Sequence, residues 1–99
     1  MSVITKSYRQ TTYGDRYTIE YRRESNGTYT IWCLDHPPNS YDSAVTKCHL
    51  YSSGQICVSA GNEPRTLDRA KAISTFWMDG YSHYVRTGEF YNGPVKINV

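Results

Sequence analysis

Polar and apolar positions alternate most cleanly in RYTIEYRR, residues 16–23, where Tyr17, Ile19 and Tyr21 fall on one side and Arg16, Thr18, Glu20 and Arg22 on the other. A period of two predicts a half-buried β-strand. Ser25-Asn26-Gly27 follows it, and Asn-Gly supplies the positive φ that a tight hairpin needs. TYTIWCL, residues 28–34, is rich in strand-forming side chains. Tyr29, Ile31 and Cys33 share one of its faces, and Thr30, Trp32 and Leu34 the other. Both faces are apolar enough to predict a central strand covered on both sides. Pro37-Pro38 cannot donate to a ladder, so 35–43 reads as a loop. AVTKCHLYSSGQICVSAG, residues 44–61, reads as two further strands around a Ser52-Ser53-Gly54 turn. Residues 1–14 are polar with a few apolar positions and read as an edge strand or arm, closed by the turn signal Tyr13-Gly14-Asp15.

The period then changes. Leu67, Ala70, Ile73 or Ser74, Trp77, Tyr81 and Tyr84 recur at spacings of three and four, which is one face of an amphipathic helix. Thr66 is a suitable N-cap, Asp68 complements the helix dipole, and Gly88 is a natural residue just past the C-terminus. Such a helix over 66–87 is about 30 Å long. Gly80 inside it predicts a bend or a close approach, since glycine there is disfavoured by about 1 kcal/mol relative to alanine. The fold class expected is therefore α+β in one domain, 1–99. It comprises a four-stranded antiparallel meander over 15–59, one long C-terminal helix packed on one face, and a tail, 88–99, with a Gly-Pro stop and a last strand or extended arm.

Composition narrows the function classes. Ninety-nine residues bury one modest core. The net charge of +2 is spread over interspersed acids and bases, which gives no electrostatic case for nucleic acid. No apolar run of about 18 residues predicts a membrane span. MSVITKSYRQ has no apolar core of a signal peptide, so a cytoplasmic location is expected. Ten tyrosines point to half-buried sheet faces or to an adhesive surface.

Candidate chemistry gathers in CHLYSSGQIC, residues 48–57. Cys33, Cys48 and Cys57 are an odd count, which fits reduced thiols better than a disulfide framework. Zinc is disfavoured by spacing: only Cys33 and His36 are a metal-type pair, and adjacent Cys48 and His49 point apart on a strand. HPPN, residues 36–39, reads as loop punctuation or as a ligand-bearing loop. Cys57 follows a glycine-containing turn, where a sulfur is either exposed and reactive or a small buried hydrophobe, and His49 lies across the same hairpin.

His49, Tyr51, Gly54, Ile56 and Cys57, followed by Trp77, Tyr81, Tyr84, Thr87-Gly88-Glu89-Phe90 and Gly93, resemble the bacterial relatives of ubiquitin-conjugating enzymes over about residues 15 to 93. In that family a His-x-Tyr-x-x-Gly-x-Ile/Leu-Cys pattern carries the catalytic cysteine. The resemblance implies a shortened member, without a counterpart of the N-terminal helix. Cys57 would carry a ubiquitin-like modifier as a thioester, and His49, eight residues before it, would take the oxyanion-supporting position. Asn39 in HPPN lies eighteen residues before Cys57. No cofactor or metal is implied, and the partner would be a protein: a ubiquitin-like protein, an activating enzyme or another. The alternative is a non-catalytic interaction module of similar fold with Cys57 buried.

Overall fold

The alternating segment forms the middle of the sheet. In the computed structural model, which describes residues 2–90, strand β2 (Arg16–Arg23) lies between β1 (Ser2–Arg9) and β3 (Tyr29–Asp35), all antiparallel. Tyr17, Ile19 and Tyr21 are buried and their neighbours in β2 are not, as period two requires. The β2–β3 turn uses Asn26 as expected: its side-chain oxygen accepts from Thr28 N at 3.0 Å and Thr28 Oγ1 at 2.7 Å, and Gly27 takes φ 85°. The β1–β2 register runs unbroken from Ser2↔Arg23 to Arg9↔Arg16. β1 is an edge strand, mostly exposed on both faces, with Val3 at 50 % and Ile4 at 36 %.

Helix α2 (Leu67–Thr87) packs across β2 and β3. The Thr66 side chain accepts from Arg69 N at 3.1 Å, a cap that typically stabilises by about 1 kcal/mol. Gly88 ends the helix at φ 79°, its N–H donating to the Tyr84 carbonyl. Ser74 and Ser82, both fully buried, meet the hydroxyls of Tyr21 at 2.6 Å and Tyr17 at 2.7 Å. Eight helical residues rise about 12 Å and four strand residues about 13 Å, so the two pairs line up when helix and strand run side by side in opposite directions. Every buried phenol in those pairs thus finds a partner, which removes the penalty of burying it dry. Trp77 and Tyr81 stack at 4.7 Å beside Tyr17 and complete the centre of the core. Gly80 marks a close approach: a Cβ there would collide with the Phe90 ring.

The meander departs from expectation after β3. A fourth strand is not present among the described residues. Val45–Cys48 instead makes one short helical turn, α1, and 50–56 contributes only isolated bridges, Leu50↔Ile56 and Trp32↔Gln55. The reason lies in what must be buried. Asn39 and Asp42 turn the chain by accepting from Tyr41 N and Ala44 N, and Cys48 then sits at 2 % exposure with its carbonyl accepting from Trp77 Nε1 at 3.0 Å. These contacts override the strand preference of Val45 and Thr46. The outer edge of β3 is still occupied: Cys33 N donates to Gly54 O at 2.7 Å, and Ile56 N to Ile31 O at 2.8 Å. The outer face of β3 is not covered as predicted, since Leu34 is 54 % exposed and Trp32 lies half-buried under the Arg22 guanidinium. The last strand or arm expected in the tail lies in 91–99, outside the described residues. No helix among the described residues is long and apolar enough to cross a membrane.

Candidate functional site

Residues 48–57 form a tight hairpin. Gly54 N donates to Tyr51 O at 2.9 Å, Tyr51 N to Gln55 O at 2.9 Å, and Cys57 N to His49 O at 3.0 Å. Gly54 closes the turn at φ 96°, and a Cβ there would press on the Cys33 carbonyl at 3.2 Å. Glycine is therefore needed twice, for the backbone angle and for the approach to β3. The return limb is pinned to β3 through Gly54 and Ile56, and Ile56 is 1 % exposed. Its successor Cys57 comes out at the surface end of the limb.

All three cysteines are free thiols, in different surroundings. Cys33 is buried against the helix, and burial pushes its pKa up to about 12. Cys48 is buried beneath α2, also with a raised pKa from desolvation. Cys57 is partly exposed. Its neighbour is Tyr51: the phenol pKa is raised, first by hydrogen bonding with the Cys57 sulfur and then by its charge. Tyr51 is itself 44 % exposed, so thiol and phenol form a pair open to solvent. The pairing was open to sequence reasoning, because Tyr51 and Cys57 stand on either side of the same predicted turn.

His49 and Cys57 are brought together through their main chains and not through their side chains. His49 caps α1 in the left-handed region at φ 56°, which takes its ring out of strand alternation. The ring packs edge-on against Phe90 at 4.7 Å, beside a cleft that also involves Lys47 and Glu89. Desolvation lowers its pKa, favouring the neutral imidazole. HPPN is mainly loop architecture: His36 Nδ1 donates to Pro37 O at 2.8 Å, and Asn39 Oδ1 accepts from Tyr41 N. Among the described residues no group of three or more His, Cys, Asp or Glu side chains converges to hold a metal ion. What the hairpin offers chemically is one partly exposed cysteine whose sulfur interacts with the Tyr51 phenol, on a backbone pinned to β3. Comparison of the chain with family models, curated proteins and solved structures returned no match.

Proposed function

We propose that this chain is a small ubiquitin-conjugating-enzyme-like protein that carries a ubiquitin-like modifier as a thioester on Cys57. The observation that carries the reading is the Cys57–Tyr51 pair. Of the three thiols, Cys57 alone is not buried, and it has an adjacent hydroxyl able to donate to a thiolate or to a developing oxyanion. The Cys57 thiolate attacks the carbonyl carbon of a thioester held on an activating enzyme. The new S–C bond forms and the activating enzyme's thiolate leaves. An amine then attacks the same carbon, an N–C bond replaces S–C, the Cys57 thiolate departs, and a base takes the amine's proton. His49 acts here as a positioning residue: its carbonyl holds the Cys57 N–H. Its ring would support the oxyanion only after turning away from Phe90.

The test is a thioester trap with a ubiquitin-like protein, its activating enzyme and ATP. The expected product is an adduct cleaved by reductant and missing in Cys57→Ser. Absence of any Cys57-dependent adduct rules the transfer chemistry out. One observation favours the second reading, a non-catalytic interaction module: the His49 ring faces Phe90 instead of the sulfur. That reading predicts no adduct from a protein that is fully folded.

A further inference from the structure

Beyond Cys57, the molecule holds a cavity of about 330 Å³ whose lining includes His36, Asn39, Tyr51, Ser52 and Tyr81. Three elements build it: the 36–43 loop, the 48–54 hairpin and helix α2. Its floor is unusual. Tyr81 is only 2 % exposed, yet its hydroxyl has no hydrogen-bond partner among the described residues, whereas Tyr17, Tyr21 and Tyr84 are all bonded. Among the described residues no buried side-chain polar atom lacks a partner, so the Tyr81 hydroxyl opens onto the cavity's solvent, and a ligand acceptor there takes the place of water.

The neighbouring groups define the complement. The Asn39 side-chain oxygen is occupied by Tyr41 N, so its free end is the NH₂ donor. His36 Nδ1 faces a carbonyl, which can only accept, so Nδ1 carries the proton and Nε2 of the neutral ring is left as an acceptor. The His36 and Tyr81 rings are 5.1 Å apart, edge to face. The lining thus carries donors and one acceptor. No Asp, Glu, Lys or Arg side chain lines it, so a charged ligand would lose hydration without gaining a counter-ion. The volume lies near the lower end of ligand pockets and suits a molecule of single-ring size.

We propose that this cavity binds a small, uncharged carboxamide, its carbonyl oxygen accepting from the Tyr81 hydroxyl and its N–H donating to His36. The reading does not depend on the chemistry of Cys57. Benzamide is the probe, followed by amide chemical shifts in the ¹⁵N-labelled protein. Saturable shifts are expected at Asn39, Ser52 and Gly54, with a Kd on the order of 1 mM. Tyr81→Phe keeps the ring stack on Trp77 and removes only the hydroxyl, so it should weaken binding by roughly tenfold. His36→Phe keeps a ring against Tyr81 and removes the acceptor, and should weaken binding similarly, which covers the case of a Tyr81 variant that fails to fold. Benzoate should bind more weakly than benzamide. The proposal is overturned by shifts that do not saturate, by benzoate binding as tightly as benzamide, or by unchanged affinity in a folded variant.

Discussion

Tyr51 and Cys57 are linked by charge as well as by position. Hydrogen bonding with the Cys57 sulfur first, and the sulfur's charge second, oppose the phenol's ionisation, which is why Tyr51 holds its proton above the ordinary value near 10. Cys57→Ser removes both the sulfur acceptor and its charge. The Tyr51 pKa should then fall back towards 10, read from the ring resonances of labelled Tyr51; no movement would separate the two groups. The same pair predicts the order of thiol reactivity. At neutral pH a disulfide reagent should modify Cys57 first, with Cys33 and Cys48 at least about 100-fold slower because each needs local opening of the core. Equal rates for all three would remove the structural distinction on which the choice of Cys57 rests. The sequence left Cys57 either exposed or buried; the partial exposure follows from Ile56, which takes the inward position on the limb pinned to β3. The direction of the His49 ring was not legible either, because a left-handed backbone at a non-glycine residue is imposed by the surrounding chain and is not signalled by residue type.

At the level of elements, the strongest periodic signals coincide with elements of the structure. The edges of β2, the Asn26-Gly27 turn, and the Thr66 and Gly88 caps all fall where local chemistry puts them. The stretch 44–57 was legible only as a turn. Val45, Thr46, Leu50 and Ile56 look like strand formers, but the contacts that bend the chain, Cys48 under Trp77 and Tyr84 Oη donating to Asp42 O at 2.6 Å, join residues far apart in sequence. Gly80 shows the same conflict between local preference and packing, and with a testable sign. Propensity alone says Gly80→Ala should stabilise α2 by about 1 kcal/mol. The Phe90 ring occupies the space of the added methyl, so the substitution should instead destabilise, by roughly 1–3 kcal/mol net. Urea unfolding of the single variants and of Gly80→Ala/Phe90→Ala closes a cycle, and the double variant should recover part of the loss. A more stable Gly80→Ala protein would show that Phe90 does not pack there in solution.

The whole molecule trades an all-apolar core for one built on phenols and thiols, and this gives its stability a direction in pH. Tyr17, Tyr21 and Tyr81 are almost fully buried, and desolvation is the leading cause that raises each of them, Tyr81 to about 12. Cys33 rises to about 12 from an ordinary value of 9.0 for the same reason. In each case the neutral form is favoured in the fold while the unfolded chain ionises normally. Their contribution is therefore complete below the unfolded values and is lost as pH rises through the range up to the folded ones. Cys33 and Cys48 act first, from about pH 9, and the tyrosines add from about pH 10. Each group that stays protonated only in the fold removes about 1.4 kcal/mol per pH unit across its window. Urea midpoints should be level to about pH 9 and then fall with a slope that steepens above pH 10. Cys33→Ala should make the first part of that fall shallower, leaving the share of Cys48 and the steeper part in place. Midpoints that stay level to about pH 11 would mean that these phenols and these thiols reach water in the folded protein, and that the sheet–helix interface is looser than the Tyr17–Ser82 and Tyr21–Ser74 pairs make it.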